Sequence, residues 1–184
     1  MKKKPNWLMI AGLSLGGLCL LGCLAVVAIS VFFPSFYQNS LENSSLAIGD
    51  AAPDFELTAL TGETIRLSQF RGQPVLLSIG TTWCPDCREE APLLQELHET
   101  HPELVVLMVD SKEGPDVVQQ FADEFGITHP ILLDRDGSVM KLYQVFAIPT
   151  DLFIDAEGII RAKLIESVTP KLLAEKLPRI GVNP

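Results

Sequence analysis

Apolar residues along the chain fall into short runs that alternate with longer amphipathic stretches. Short apolar runs bordered by glycine, proline or polar residues are typical of buried strands, and here they cover Val75–Ile79, Leu104–Val109 and Pro130–Leu133. Two segments with helical periodicity lie between them, one following Cys87 and one over Pro115–Phe125. This alternation predicts strands that are connected by helices.

Two further pairs of segments alternate between apolar and polar residues and predict β-hairpins. The first pair, 55–60 and 64–67, flanks a turn at Thr61-Gly62-Glu63, and the second, 151–154 and 159–165, flanks Asp155-Ala156-Glu157-Gly158. Additional short helices are predicted at 68–71, 138–143 and 170–177. Together the elements predict an α/β fold with a mixed central sheet and an N-terminal β-hairpin.

The N-terminal pattern is different, because residues 7–33 contain no charged side chain. A helix of that length would extend about 40 Å, enough to cross a bilayer with some tilt. Lys2, Lys3 and Lys4 precede the span and the first acidic residue is Glu42, so the positive-inside rule places the N-terminus in the cytoplasm. We therefore expect a single-pass protein of the cell membrane whose remaining chain is extracytoplasmic.

The domain organisation that we predict has four parts. Residues 1–6 form a cytoplasmic N-terminus, 7–33 a transmembrane anchor, 34–45 a polar linker and 46–184 one folded domain. Two alternatives to the anchor remain open. A cleaved signal peptide would have a shorter apolar core. A lipoprotein modified at Cys23 is suggested by Leu20-Leu21-Gly22-Cys23, although the apolar run continues beyond that cysteine.

Charge excludes some partners. The chain carries 14 basic and 23 acidic residues, and without Lys2 to Lys4 the part beyond the anchor has a net charge of −12. A strongly acidic domain disfavours nucleic acid and anionic membrane surfaces as partners.

The candidate chemistry lies at the junction between the apolar run 75–79 and the helix that follows it. Cys84 and Cys87 are three residues apart there, so one sulfur can reach the other within one helical turn. The first cysteine lies at the helix N-terminus, where the dipole and the unpaired N–H groups stabilise a thiolate. Pro85 suits the first turn of the helix. The spacing predicts reversible dithiol–disulfide exchange with no further cofactor.

Other uses of the two cysteines are less consistent with the sequence. A zinc site needs more cysteine or histidine ligands at suitable spacing, and a haem attachment site needs histidine where Arg88 stands. A structural disulfide that closes so short a loop would restrict the unfolded chain little.

The motif Trp83-Cys84-Pro85-Asp86-Cys87 resembles the active site of thioredoxin. With Ala52-Pro53-Asp54-Phe55, the segment 67–72 and Ile148-Pro149-Thr150, the chain resembles the membrane-anchored thioredoxin-like proteins of the TlpA/ResA type, in the AhpC/TSA–redoxin superfamily. The resemblance covers about residues 47–180. It implies a thioredoxin fold with a central βα insertion.

The resemblance also implies roles for individual residues. Cys84 would be the exposed nucleophile and Cys87 the buried resolving thiol. Pro149 would follow a cis peptide bond and form the floor on which partner peptides dock. Glu90 would accept a proton from Cys87, with a solvated helix charge as the alternative. Where thioredoxin has a buried aspartate beneath the pair, this chain has Ser78, which cannot relay a proton as a carboxylate would.

The predicted function is that of an extracytoplasmic thiol–disulfide oxidoreductase. Its clients would be exported proteins with cysteine pairs, for example apocytochromes c during cytochrome c maturation, and a membrane thiol-electron transporter would supply its electrons. One alternative is a thiol peroxidase, since Thr81 stands three residues before Cys84, although Leu77 occupies the place where a peroxiredoxin has proline. Another is a metal- or haem-handling binding module.

Overall fold

The computed structural model describes residues 46–183. The strands are β1 (Glu56–Thr58), β2 (Thr64–Arg66), β3 (Val75–Gly80), β4 (Val105–Ser111), β5 (Ile131–Asp134), β6 (Thr150–Ile154) and β7 (Ile160–Leu164). The helices are α1 (Pro85–Thr100), α2 (Pro115–Phe125), α3 (Ser138–Leu142) and α4 (Pro170–Lys176), and 3-10 turns occupy Leu67–Phe70 and Leu177–Ile180.

Five strands form one mixed sheet in the order β5-β4-β3-β6-β7. Strands β3, β4 and β5 run parallel, because α1 and α2 each return the chain to the end of the sheet at which the preceding strand began. Strand β6 is antiparallel to β3, and β7 is antiparallel to β6. Strands β1 and β2 form a separate antiparallel hairpin. The predicted mixed sheet and N-terminal hairpin are confirmed.

The two faces of the sheet are covered by different layers, and residues two apart on a strand face the same layer. On β3, Leu77 packs in the core cluster that includes the hairpin residue Ile65 and Tyr143 beyond α3. Leu76 packs in the cluster of the opposite face with Leu94 of α1. Ser78 and Gly80 share the face of Leu76 and therefore point toward α1.

Only residues 81–84 separate the end of β3 from the start of α1, and this short junction positions the cysteines. Both are therefore held by the central strand and by a helix of 16 residues, rather than by a long loop. Helix α2 covers β4 and β5 on the same side, through Val118, Phe121 and Ala122. Its C-terminus is Gly126, which has φ +63° and so adopts the left-handed conformation that ends many helices.

The predicted cytoplasmic N-terminus, transmembrane anchor and linker, and the candidate lipid attachment at Cys23, lie outside the described residues. Within residues 46–183, no helix is both long enough and apolar enough to span a membrane.

Candidate active site

Cys84 is the N-cap residue of α1. Its backbone is extended and Pro85 occupies the first helical turn, so the helix begins directly after the cysteine. Cys84 Sγ accepts a hydrogen bond from the backbone N–H of Cys87 at 3.4 Å, and its thiol donates to the carbonyl oxygen of Ile148 at 3.7 Å. A negative charge on this sulfur would face the free N–H groups of the first turn, which favour a thiolate.

The two cysteines differ less in exposure than the sequence predicted. Both are free thiols, and Cys84 is 5% exposed against 3% for Cys87. The prediction of an exposed Cys84 is therefore wrong, because Ile148 and the residues around it cover the sulfur. The neighbouring Trp83 is 67% exposed. A client disulfide would have to approach Cys84 across the edge formed by Trp83 and Ile148.

Cys87 is packed against the end of β3. A Cβ added to Gly80 would lie 2.7 Å from Cys87 Sγ, so only glycine leaves room for this sulfur. Burial raises the pKa of the Cys87 thiol far above its ordinary value, and the adjacent Cys84 thiol and the charge of Glu90 act in the same direction. Cys87 can therefore become a nucleophile only if a nearby group takes its proton.

Glu90 is such a group, since it is buried although it lies on a helix rich in exposed charges. Its side chain is 2% exposed, so a solvated helix charge is excluded. Oε1 accepts a hydrogen bond from the Ser78 hydroxyl at 3.0 Å, and Oε2 accepts one from the backbone N–H of Val168 at 3.2 Å. Burial raises the pKa of Glu90 to about 7, and the charge of Asp86 adds to the effect. A carboxyl group with this pKa can accept and return protons near neutral pH.

Asp151 is the site residue that the sequence did not identify. It stands directly opposite Ser78 in the antiparallel β3–β6 pair and is completely buried. No hydrogen-bond partner for either of its carboxyl oxygens exists among the described residues. Burial raises the pKa of Asp151 well above its ordinary value, and the charge of Glu90 raises it further. The sequence feature that could have identified Asp151 is its spacing from Phe153. The two residues are two positions apart on β6, so both side chains lie on the face of the sheet toward α1.

Pro149 lies where the sequence predicted, beside the cysteine pair. The Ile148–Pro149 peptide bond is cis, as predicted. Pro149 is buried, and the carbonyl of the preceding Ile148 is the acceptor for the Cys84 thiol. The loop before β6 therefore contacts the reactive sulfur directly.

The remaining residues of the motif lie at the surface. Pro85 and Asp86 are exposed in the first turn of α1. Arg88, the nearest cation in the sequence, is directed toward α2. Its guanidinium donates to the Thr82 carbonyl at 3.2 Å and forms a salt bridge with Glu124, and it stacks on the Phe125 ring at 5.0 Å from the centroid.

A groove of about 340 Å³ opens beside the cysteines. Its wall includes Trp83, Glu113, Met140, Phe146 and Ile148. Phe146 is 79% exposed, so apolar surface continues outward from the groove. Glu113 is fixed by hydrogen bonds from the backbone N–H (2.6 Å) and hydroxyl (2.9 Å) of Thr82. The groove is thus a preformed, largely apolar surface next to Cys84, with the size of a few peptide side chains.

Comparison with protein families gives a match between residues 48–163 and the AhpC/TSA family. Among curated proteins, the chain is 34% identical over 163 residues to the thiol-disulfide oxidoreductase ResA of Geobacillus kaustophilus (strain HTA426), covering 88% of this chain and 91% of that protein. It is 32% identical over 163 residues to the thioredoxin-like protein YneN of Bacillus subtilis (strain 168), covering 86% and 95%.

Solved structures show the same fold. StoA from Bacillus subtilis superposes with a TM-score of 0.59 at 31% identity, over 68% of this chain and 98% of that one. A thiol:disulfide interchange protein of the thioredoxin family from Chlorobium tepidum TLS superposes with a TM-score of 0.65 at 19% identity, over 73% and 97%. At 19% identity, the similarity to the Chlorobium tepidum structure shows a shared fold and nothing further. The predicted thioredoxin-like architecture is confirmed.

Proposed function

The chain belongs to the AhpC/TSA family, and we propose that it reduces disulfide bonds in exported proteins through the dithiol of Cys84 and Cys87. It is a protein-disulfide oxidoreductase, similar to the curated relatives named thiol-disulfide oxidoreductase ResA. The observation that carries the proposed chemistry is the hydrogen bond from the N–H of Cys87 to Cys84 Sγ at a helix N-terminus. That bond holds the two sulfurs together at the place where a thiolate is stabilised.

In the first step, the Cys84 thiolate attacks one sulfur of the client disulfide. The client S–S bond breaks, a mixed disulfide forms between Cys84 and the client, and the departing client thiolate takes a proton from water. Trp83, Phe146 and Ile148 supply the surface against which the client segment lies, and the buried Pro149 fixes the loop that carries Ile148. Since the groove wall is largely apolar, it favours extended segments with apolar side chains next to the cysteine.

In the second step, Cys87 gives its proton to the Glu90 carboxylate and attacks Cys84 Sγ. The Cys84–client bond breaks, the Cys84–Cys87 disulfide forms, and the second client thiolate leaves. The client gains two electrons and the protein dithiol loses two. Glu90 serves this step because it is buried beside Cys87 and has a pKa near 7.

The location that we propose rests on the N-terminal sequence. The uncharged span 7–33 follows three lysines, which favours a membrane anchor with residues 46–184 outside the cytoplasm. Clients there would be exported proteins with cysteine pairs, such as apocytochromes c. A membrane thiol-electron transporter would restore the dithiol after each turnover.

Two measurements test this proposal. The reduced full chain, purified in detergent, should reduce the disulfides of insulin with one client disulfide lost per dithiol oxidised, and Cys84→Ser should remove this activity. Absence of thiol transfer by the unmodified chain would overturn the chemistry. A reporter that is active only outside the cytoplasm should be active when fused after Pro184, and an inactive fusion would reverse the orientation.

A further inference from the structure

The Glu90 carboxyl has a second buried carboxyl beside it. Ser78 and Asp151 are direct partners in the β3–β6 pair, and directly opposite side chains of an antiparallel pair point to the same face, about 5 Å apart at Cβ. The Ser78 hydroxyl donates to Glu90 on that face. Asp151, Ser78 and Glu90 therefore converge under Cys87.

The surroundings of the two carboxyl groups are unequal. Glu90 receives two hydrogen bonds, from Ser78 and from the N–H of Val168, and such donors stabilise a carboxylate. Neither oxygen of Asp151 has a hydrogen-bond partner among the described residues, because the Ser78 hydroxyl opposite it donates its single proton to Glu90, and Asp151 has no exposed surface. The nearby hydroxyl lowers the pKa of Asp151 less than burial raises it. An isolated carboxylate in such a place is costly, whereas a neutral acid is tolerated. When the pair holds one proton, Asp151 carries it and Glu90 is the carboxylate.

In the described part of the chain, no positive side chain is among the groups that shift the pKa of either acid. Helix α1 carries Glu90 itself and places Asp86 and Cys87 near it, and β3 contributes Ser78. Leu164, the β7 partner of Asp151, is apolar. Within residues 46–183, neither acid takes part in a salt bridge. Two carboxylates so close together cannot both be charged near neutral pH, so the pair retains one proton.

The reaction cycle requires the two buried carboxyl groups to accept a proton from Cys87 in one half-reaction and to donate one to it in the other. When Cys87 attacks, its proton must be accepted. When an upstream dithiol reloads the protein, its thiolate attacks Cys84, the Cys84–Cys87 bond breaks, and Cys87 must be protonated as it leaves. With a pKa of about 7, a lone Glu90 would be mostly carboxylate at pH 8, so it would serve as a base and rarely as an acid there. A pair with one proton contains both.

Resting on the function proposed above, we propose that Asp151 is a positioning residue that stores the proton which Glu90 delivers to Cys87 during reloading. In that half-reaction Glu90 protonates the departing Cys87 thiolate while Asp151 passes its proton to Glu90. Solvent reprotonates Asp151 within the same step, so the pair is not left with two negative charges. The donor's second thiolate then displaces Cys84 from the mixed disulfide. The donor dithiol loses two electrons, and the protein disulfide gains them.

The kinetic test separates the two half-reactions in the full chain. Release of two thionitrobenzoate anions from Ellman's disulfide measures Cys84 attack first and Cys87 attack second. The rate at which dithiothreitol reduces the Cys84–Cys87 disulfide of the oxidised chain measures reloading. This rate is divided by the thiolate fraction of dithiothreitol at each pH. With Asp151→Asn, only Glu90 holds a proton, and with a pKa of about 7 it is mostly ionised at pH 8. Reloading at pH 8 should then be about tenfold slower than at pH 6, while the second thionitrobenzoate release at pH 8 is retained.

The unmodified chain should keep its corrected reloading rate nearly constant between pH 6 and pH 8. Glu90→Gln should slow both half-reactions, since it removes the carboxyl group whose charge acts on Cys87 and which exchanges the proton with it. Equal pH profiles for the unmodified chain and Asp151→Asn would overturn the proposal. A drop of both half-reactions by the same factor at every pH would also overturn it, because that is the behaviour of a purely structural residue.

If Asp151→Asn does not fold, infrared spectroscopy can detect the protonated Asp151 carboxyl directly in a chain that retains this residue. Asp110 is the matched control, since it is also fully buried with both oxygens unpartnered among the described residues. In full-length Asp110→Asn labelled with carboxyl-¹³C aspartate, a protonated aspartic acid band should persist at pH 7.5. Its absence would overturn the proposal. If the unmodified reduced chain released no thionitrobenzoate at all, the function proposed above would fail instead, whatever the infrared result.

Discussion

The backbone N–H of Cys87 donates a hydrogen bond to the sulfur of Cys84 over 3.4 Å. The two sulfurs are thus neighbours with unequal chemistry, since Cys84 caps the helix while burial raises the pKa of the Cys87 thiol. Because only a thiolate attacks a disulfide, the order of the two cysteines in the reaction follows from their positions.

We expect Cys87→Ser to leave a nucleophile that attacks clients and cannot release them. Mixed disulfides should accumulate in cells that express this variant, and non-reducing electrophoresis should show them. Cys84→Ser, the matched control, should trap none. In the reduced unmodified chain at pH 7, iodoacetamide should modify Cys84 at least about tenfold faster than Cys87. Equal alkylation rates would contradict the assignment.

A side chain at position 80 should disturb the resolving thiol. The Cβ of Gly80→Ala would lie 2.7 Å from Cys87 Sγ, so the sulfur or the helix must shift. Overpacking of this kind costs about 1–3 kcal/mol, and the urea midpoint should fall accordingly. The second thionitrobenzoate release should slow while the first is retained.

Gly114→Ala is the control for that substitution. Gly114 has a negative φ and no atom within 4 Å of an added Cβ. It should cost at most about 1 kcal/mol, through its position at a helix N-cap, and should leave both releases unchanged. A Gly80→Ala variant with the stability and kinetics of Gly114→Ala would show that the pocket around Cys87 is not tight.

Asp110 should make stability depend on pH. Burial raises its pKa to about 8, and the charge of Glu113 contributes. Since the folded-state pKa lies above the unfolded value of about 3.8, the stability contribution is complete below pH 4 and is lost as pH rises through 8. Asp110→Asn keeps the shape and cannot ionise, so between pH 5 and pH 8 it should become more stable relative to the unmodified chain, by about 1.4 kcal/mol per pH unit at most.

The difference in unfolding free energy between the two chains should shrink toward pH 5. Burial also raises the pKa values of Glu90 and Asp151, but these two groups are common to both chains and cancel in the difference. Urea unfolding at pH 5 and pH 8 gives the four values needed. A difference that is the same at both pH values would mean that Asp110 is already ionised in the folded chain at pH 5.

The sequence predicted the strands, helices and cysteine pair because those features depend on local patterns. Hydrophobic periodicity defined β3 and α1, and the spacing of Cys84 and Cys87 indicated the chemistry. Asp151, the second carboxyl beside Glu90, was missed for a physical reason. Ser78 and Asp151 meet only through the antiparallel β3–β6 pairing, which joins segments far apart in the chain. The resemblance points to position 78 of β3 for a strand carboxylate beneath the cysteines, whereas the structure places one on the neighbouring strand β6, at Asp151.

The burial of Cys84 was missed for a similar reason. The position of Cys84 at a helix start follows from local sequence, whereas the approach of Ile148 to its sulfur depends on a loop 64 residues further along the chain. Likewise, Glu90 and Glu89 are adjacent acids on one helix, and only the packing of α1 against β3 makes the first buried and the second exposed.

The last prediction concerns the direction of electron flow. A dithiol pair is strongly oxidising when a stable thiolate favours its reduced form. Asp86 puts a negative charge in the first turn of α1, where it opposes the helix dipole. The nearby cation Arg88 is engaged with Glu124 and the Phe125 ring. The potential of the pair should therefore lie nearer about −270 mV than about −120 mV, which suits a reductase.

Equilibration of the full chain with glutathione and dithiothreitol redox buffers measures this potential. Asp86→His should raise it by about 30 mV or more, equivalent to about 1.4 kcal/mol for the two-electron couple. Glu96→His makes the same change of charge on the exposed face of α1 three turns further along. Since the influence of charge on a helix terminus is confined to the nearest turn, this control should leave the potential unchanged. A potential near −120 mV for the unmodified chain would make the protein a disulfide donor, and equal shifts in both variants would attribute the effect to net charge rather than to Asp86.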